Sequence, residues 1–163
     1  EKARAHEGEG VLHRAFSIFL FNDDGDVLMQ QRAAGKQLWG GFWSNSVCSH
    51  PRRGETVADA ARRRLEEEIG VVADVHYLYT FEYHAQFGEI GAEHEMCAVF
   101  FARSDMAVTG NPTEIADFAF MAPETLDNAL ATDPERYTPW LKMEWPRIRD
   151  AHWDEVTAPP RAG

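Results

Sequence analysis

The sequence predicts an α+β fold in which helices are layered around a mixed β-sheet. Three observations lead to this prediction: strand-like apolar segments lie on both sides of a single long amphipathic segment, that segment has helical periodicity, and further helical segments follow near the C-terminus. The 163 residues, 44% of them hydrophobic, suit one domain with one core. We expect this domain to span residues 1–150, followed by a C-terminal tail at 151–163.

The first part of the chain predicts two strands joined by a turn. Residues 12–21 (LHRAFSIFLF) are rich in aromatic and aliphatic side chains, and the following NDDG is a typical turn sequence. Residues 27–31 (VLMQQ) are predicted to form the partner strand of a hairpin. A Gly-rich, aromatic loop at 35–43 then leads to the segment NSVCSHP at 45–51.

A long helix is predicted after this loop. Thr56, with Asp59 three residues later, resembles a capping box, and Gly70 is typical of a helix C-terminus. Between them, apolar residues recur at helical spacing, at Val57, Ala61, Leu65 and Ile69. The remaining predicted elements are strands at 71–85, 95–102 and 115–121 and helices at 123–130 and 140–148.

Composition limits the classes of function. Sixteen basic residues against 27 acidic ones give a formal charge of −11, which disfavours binding to a phosphate backbone. The two cysteines, Cys48 and Cys97, are too few for a disulfide framework and suit a reducing compartment. No apolar run is long enough for a membrane helix. We expect a cytoplasmic protein, a monomer or weak homodimer, that binds neither nucleic acid nor membrane.

Two pairs of residues at i and i+2 are candidates for a functional site. In an extended segment such residues point to the same side, so Cys48 and His50 could face one cavity, and so could Glu93 and Glu95. By pattern alone, a single cysteine is more often a buried small apolar residue, and the glutamate pair is more often an exposed strand edge. The pattern therefore leaves both interpretations open.

The predicted helix carries charged residues in its last two turns. Glutamates such as Glu67 and Glu68 could hold a hard divalent cation, although neighbouring Arg and Glu residues on a helix are more often a solvated surface. The spacing of these charged residues from Ser49 favours the interpretation as a cation-binding site. Glu55, Arg63, Leu65, Glu67, Glu68, Gly70 and Val71 follow Ser49 by 6, 14, 16, 18, 19, 21 and 22 residues.

This spacing resembles the Nudix box, Gly-x5-Glu-x7-Arg-Glu-U-x-Glu-Glu-x-Gly-U, in which U is apolar. Ser49 replaces the first Gly and Arg64 replaces the Glu after the Arg. The second change weakens the interpretation as a Nudix hydrolase, because that Glu belongs to the hydrolases' metal-binding set.

Together with NSVCSHP, the changes resemble the type 1 isopentenyl diphosphate isomerases. The resemblance runs from Glu1 and Lys2 to about Trp145. It includes LHRAFS (12–17), residues 31–55, the helix of the box, FEYHA (81–85), EHEMC (93–97) and YTPW (137–140). It implies a Nudix-type α/β/α sandwich around a mixed β-sheet that converts isopentenyl diphosphate to dimethylallyl diphosphate.

The resemblance also implies catalytic roles. Cys48 would remove a proton from C2 as a thiolate whose acidity is tuned by nearby positive charge. Glu95 would deliver a proton to C4 from the opposite side, with the Tyr83 hydroxyl in that path. The ring of Trp140 would stabilise the intermediate carbocation.

Two metal sites and a diphosphate site are implied in the same way. The first metal site consists of His6, His13, His50, Glu93 and Glu95, and this donor set suits Mn²⁺ or Zn²⁺. In the second, Glu68 and the carbonyl of Cys48 hold a Mg²⁺ that bridges the diphosphate. The basic residues matched to the diphosphate are Lys2, Arg32, Lys36 and Arg64.

Two other functions remain open at this point. Glu55, Glu67 and Glu68 are compatible with a Nudix pyrophosphohydrolase that acts on a nucleoside diphosphate derivative. A non-catalytic Nudix-fold module that binds a metal or a partner protein is a further alternative.

Overall fold

A computed structural model describes residues 12–159 of the chain. Two of the predicted site residues, Lys2 and His6, lie outside the described residues. None of the helices between residues 12 and 159 has the length and hydrophobicity needed to span a lipid bilayer.

Within residues 12–159, seven strands form one mixed sheet, and four α-helices surround it. The central β1 runs parallel to β6 and antiparallel to β4, and the sheet order β3-β2-β1-β6-β5 is extended by β7, which pairs with β2. The elements are β1 His13–Phe21, β2 Val27–Arg32, β3 Trp43–Ser44, β4 Val47–Ser49, α1 Val57–Ile69, β5 His76–Phe87, β6 Gly91–Arg103, β7 Ile115–Met121, α2 Pro123–Thr132, α3 Pro139–Arg147 and α4 Trp153–Thr157.

The sheet separates two buried clusters, as the predicted sandwich requires. Alternate residues of β1 point to opposite faces, so that Ile18 packs against Leu65 of α1 while Phe19 packs against Trp145 of α3. Since β1 has neighbours on both sides and helices on both faces, seven of its nine residues are buried. The predicted α+β sandwich is confirmed.

Helix α1 begins and ends as its sequence predicts. The Thr56 hydroxyl accepts a hydrogen bond from the Asp59 backbone N–H at 3.1 Å. Gly70 adopts a left-handed conformation with φ of 69°, which costs glycine little, and its N–H bonds the Glu66 carbonyl. The caps define where α1 begins and ends, and its buried residues Ala61, Leu65 and Ile69 recur at helical spacing.

The loop between β2 and β3 folds back tightly on itself. The Arg32 N–H donates to the Phe42 carbonyl at 2.8 Å, and the Gly41 N–H donates back to the Arg32 carbonyl at 3.0 Å. A Cβ atom on Gly40 would come within 2.9 Å of the Lys36 carbonyl oxygen, so the loop requires glycine there. Leu38 of this loop is buried in the same cluster as Trp145 of α3.

Two predicted strand features are wrong, and the segment predicted as a tail contains a helix. The strand predicted at 71–85 begins only at His76, because the chain after Gly70 first crosses the end of α1. The predicted hairpin of β1 and β2 is limited to the pair Phe21 and Val27, since β1 pairs mainly with β4 and β6. The predicted tail at 151–163 includes α4, in which Val156 is buried.

Leu65 tests the packing of α1 on the sheet. Its side chain is fully buried, so Leu65→Ala should lower the free energy of unfolding by about 2–5 kcal/mol through lost burial and the remaining cavity. Urea denaturation followed by circular dichroism measures this change. The matched control is Glu66→Ala, on the exposed side of the same helix, which should change the value by at most about 0.5 kcal/mol. Equal losses in both variants would contradict the packing described.

Candidate active site

The pairing register of four strands brings the predicted catalytic side chains to one face of the sheet. Cys48 of β4 lies opposite Ser17 of β1, and His13 of β1 lies opposite Glu95 of β6. Tyr83 of β5 lies opposite Glu95 on its other side. Paired residues share a face, as do residues an even number apart in a strand. All five side chains therefore point to the side covered by α3.

These side chains line a cavity of about 300 Å³. This volume is at the lower end of the range for small-molecule sites. Its wall combines a thiol, two carboxyl groups, a phenol and an indole ring with basic groups. The predicted site residues in this wall are Cys48, His50, Tyr83, Glu93, Glu95, Trp140, Arg32 and Lys36.

A buried hydrogen-bond array fixes the position of Cys48. Its thiol donates to Asn45 Oδ1 at 2.8 Å, and the Trp140 indole N–H donates to Cys48 Sγ at 3.1 Å. Both amide hydrogens of Asn45 are used, because its Nδ2 donates to the carbonyls of Ile18 and Val47. The side-chain oxygen of Asn45 is thereby held towards the thiol, and the thiol and the indole ring share one network.

Burial, an acidic residue and a basic residue all act on the Cys48 thiol. Burial, together with the nearby Glu144 carboxylate, raises the pKa of the Cys48 thiol to about 12, and the Arg32 guanidinium lowers it by less. The positive charge expected near the thiol is thus present as Arg32, but burial has the larger effect on the pKa of Cys48. Glu144 is itself fully buried, and burial raises its pKa to about 8.

Four of the predicted metal ligands converge beside the cavity. One ligand atom from each of His13, His50, Glu93 and Glu95 lies within 4.8 Å of the others. The Glu95 Oε1 atom is 2.9 Å from His50 Nε2 and 3.4 Å from His13 Nε2. Two imidazoles and two carboxylates form a donor set that fits a divalent transition metal. The residues present therefore fit the metal that the sequence predicts.

The two buried carboxyl groups of this cluster have different environments. Burial raises the pKa of Glu93 to about 9, and the neighbouring Glu95 carboxylate adds to the increase. Burial also acts on Glu95, but hydrogen bonds with His13 and His50 outweigh it and hold the pKa of Glu95 well below the usual range. The Tyr83 hydroxyl donates to Glu95 Oε2 at 2.6 Å. Glu95 thus contacts the predicted metal ligands and the phenol at the same time.

The predicted diphosphate residues lie in two places. Arg32 and Lys36 line the cavity, and the Arg32 guanidinium lies 5.2 Å from the centre of the Trp140 ring. Arg64 and Glu68, on α1, lie outside its wall. Arg64 donates to Glu68 at 3.1 Å, and Glu68 is a buried carboxyl whose pKa burial raises. A buried carboxylate oxygen is a suitable ligand for Mg²⁺, so Glu68 fits its predicted role.

Three residues of the site were not predicted from the sequence. Asn45 begins the segment NSVCSHP, but its contact with Cys48 depends on the turn between β3 and β4. Glu144 is the single acidic residue of α3, and its complete burial is a tertiary effect. Glu114 lies in the loop before β7 and contacts Lys36 and Arg64. An acidic residue in a loop gives no sequence signal for such a contact.

Comparison with known proteins gives matches over most of the chain. The model of the NUDIX domain matches residues 11–141. Isopentenyl-diphosphate Delta-isomerase 1 of Photorhabdus laumondii is 41% identical over 157 residues, which cover 95% of this chain and 89% of the relative. The isopentenyl-diphosphate Delta-isomerase of Paenarthrobacter aurescens is 39% identical over 153 residues, with 93% and 83% covered.

Solved structures share the fold. The crystal structure of DR0079 from Deinococcus radiodurans is 26% identical and has a TM-score of 0.70, with 86% of this chain and 84% of that chain covered. A MutT Nudix hydrolase from Burkholderia pseudomallei has a TM-score of 0.67 at 17% identity, over 85% of this chain and 98% of that chain. The second likeness supports the fold alone.

The His and Glu cluster predicts a measurable metal site. The metal-free protein should bind Mn²⁺ or Zn²⁺, and His50→Ala should weaken that binding by about 100-fold or more, since removal of a direct ligand should cost at least as much as removal of a residue that supports one. Isothermal titration calorimetry measures the affinity. The control is His94→Ala, because His94 pairs with Glu82 at 3.0 Å rather than with the cluster. Equal affinities for the His50 variant and the parent would contradict this site.

Proposed function

The chain belongs to the Nudix family, and we infer that within it the chain acts as an isopentenyl-diphosphate Delta-isomerase, which interconverts isopentenyl and dimethylallyl diphosphate. The observation that carries this conclusion is the shared cavity of Cys48, Glu95 and Tyr83 beside Lys36 and Arg32. It combines two separate proton-transfer groups with cations for an anionic substrate. The relatives described above have the same activity in their names and align with nearly the whole chain.

The reaction adds a proton to C4 of an alkene and removes another from C2. A simple alkene is a very weak base, so its protonation needs an acid held in contact with it in a site that excludes water. The intermediate resembles a tertiary carbocation, and its adjacent C–H bonds are strongly acidic. The group that removes the C2 proton can therefore be a weak base if it is correctly placed.

We propose that Glu95 and Tyr83 handle the C4 proton. The 2.6 Å hydrogen bond from Tyr83 to Glu95 supports a path in which a proton moves between the carboxyl group, the phenol and the alkene. His13 and His50 orient the other oxygen of Glu95. A divalent cation bound by the His and Glu cluster would supply positive charge that makes Glu95 a stronger acid. Mn²⁺ or Zn²⁺ suits these ligands, and His6 is proposed as the fifth.

We propose that Cys48 takes the C2 proton as its thiolate, which becomes the neutral thiol. Asn45 and the Trp140 indole hold its sulfur at the cavity wall, and the Arg32 guanidinium is the charge that favours its thiolate. The Trp140 ring, buried in the same wall, would stabilise the carbocation by a cation–π interaction worth on the order of 2 kcal/mol when desolvated.

The diphosphate is proposed to bind Arg32, Lys36, Arg64 and Lys2. Guanidinium groups suit bidentate contacts with phosphate oxygens. Mg²⁺ bound by Glu68 and the carbonyl of Cys48 would neutralise part of the diphosphate charge. The product is an allylic diphosphate, which supports a role in isoprenoid biosynthesis. Both cysteines are free thiols, which supports the proposed cytoplasmic location.

A Nudix pyrophosphohydrolase is the second candidate, and the box glutamates favour it. However, Arg63 binds both oxygens of Glu55 at 2.8 and 2.9 Å, and Arg63 and Arg64 each donate to Glu67 at 3.0 Å. Arg64 also donates to Glu68 at 3.1 Å, so all three box glutamates are engaged by arginines. Release of a nucleoside monophosphate from a nucleotide panel, without isomerisation of an alkene, would support the hydrolase.

Incubation with isopentenyl diphosphate and Mg²⁺ in deuterated water tests the proposed reaction. Deuterium should appear in dimethylallyl diphosphate, since the added and the removed protons come from groups that exchange with solvent. Cys48→Ala should lower kcat by a factor of about 100 or more, the typical contribution of one positioned acid or base. Mass spectrometry and proton NMR measure both results.

The matched control is Cys97→Ala. Cys97 is buried in β6 outside the cavity wall, so its removal should leave kcat within a few-fold of the parent. Metal content must be equal in all three proteins. If the Cys48 variant turned over at the parental rate, Cys48 would not be the base.

A further inference from the structure

Glu114 lies between the two chain segments that carry the proposed diphosphate cations. Its backbone carbonyl accepts a hydrogen bond from the Ala33 N–H at 3.0 Å, at the start of the loop that carries Lys36. Three residues earlier, the Asn111 N–H donates to the Glu68 carbonyl at 3.0 Å, at the end of α1. The loop before β7 is therefore attached to both segments, and the position of Glu114 is set by the fold.

The side chain of Glu114 contacts both cations. Its Oε2 atom accepts a hydrogen bond from Lys36 Nζ, and its Oε1 atom lies 3.6 Å from Arg64 Nη2. The same Arg64 nitrogen donates to Glu68 Oε2 at 3.1 Å. One guanidinium nitrogen thus contacts the carboxylates of Glu68 and Glu114 together.

This arrangement balances the charge of the site. The charges of Lys36 and Arg64 are offset by Glu68 and Glu114, and Glu67 adds a further negative charge beside Arg64 at 3.0 Å. The side chains of Glu114 and Arg64 are only 25% and 19% exposed, so water screens these pairs incompletely. An anion that approaches the two cations therefore also meets the carboxylates that pair with them.

We propose that Glu114 is a specificity-determining residue that makes the site bind diphosphate together with Mg²⁺ and reject free diphosphate. The proposal rests on the proposed function, because it takes Lys36 and Arg64 as diphosphate ligands. A free diphosphate must separate Glu114 from its cations and then lie beside that carboxylate. A diphosphate that carries Mg²⁺ brings positive charge for Glu68 and Glu114, so the carboxylates no longer oppose it.

Binding of inorganic pyrophosphate to the whole chain, measured by isothermal titration calorimetry, tests this role. One series contains Mg²⁺, and the other contains EDTA after removal of metal. Glu114→Gln keeps the size of the side chain and removes its charge. It should tighten binding in EDTA by about tenfold, the effect of one competing partly screened charge, and change binding in Mg²⁺ by less than about threefold.

Two further variants serve as controls. Glu66→Gln makes the same change in net charge on the exposed face of α1, and should leave both affinities unchanged. Glu114→Ala should reproduce the effect of Glu114→Gln, because both remove the charge. Thermal unfolding of each variant checks that the fold is retained.

The outcomes separate this inference from the function on which it rests. Unchanged binding of Glu114→Gln in EDTA would overturn the role of Glu114, and so would weaker binding confined to Mg²⁺, which would make Glu114 a metal ligand. If the parent binds no pyrophosphate even with Mg²⁺, or if Arg64→Ala binds it as tightly as the parent, the proposed diphosphate site is itself wrong.

Discussion

The register between β1 and its neighbours is the constraint on which the site depends. His13 pairs with Glu95 and Ser17 pairs with Cys48 across the central strand. A shift of one residue would turn the side chains of the shifted strand to the opposite face, and the thiol would no longer share a cavity with the carboxylates. The register is fixed because both faces of β1 are buried, against α1 on one side and α3 on the other.

The same burial sets the electrostatics of the site. A carboxylate removed from water requires hydrogen bonds or charged partners, and Glu95 obtains them from two imidazoles and the Tyr83 phenol. Glu93 has weaker compensation, and its pKa is raised accordingly. A divalent cation would compensate both carboxylates at once. The same burial that would shelter an alkene from water therefore also makes this cluster of carboxyl groups and imidazoles favourable for a divalent cation.

Local sequence signals predicted the parts of the fold that depend on neighbours in the chain. Thr56 and Gly70 bound α1 as expected, and the i, i+2 spacing placed Glu93 and Glu95 on one face. The sequence did not reveal the pairing of β1 with β4 and β6, because register depends on distant segments. It also missed the raised pKa of Cys48, since the effects of burial and of Glu144 on α3 arise only after folding.

The replacement of a box glutamate by Arg64 links the charge distribution to the type of reaction. A third carboxylate beside Glu67 and Glu68 would gather metal ions at α1, where a hydrolase attacks a phosphate. Arg64 instead contacts Glu67, Glu68 and Glu114, so the proposed diphosphate site contains both positive and negative charges. The proposed proton transfers then take place on the sheet, at Cys48 and Glu95, away from the phosphate bonds. In this arrangement, one fold can hold a diphosphate intact while its hydrocarbon end reacts.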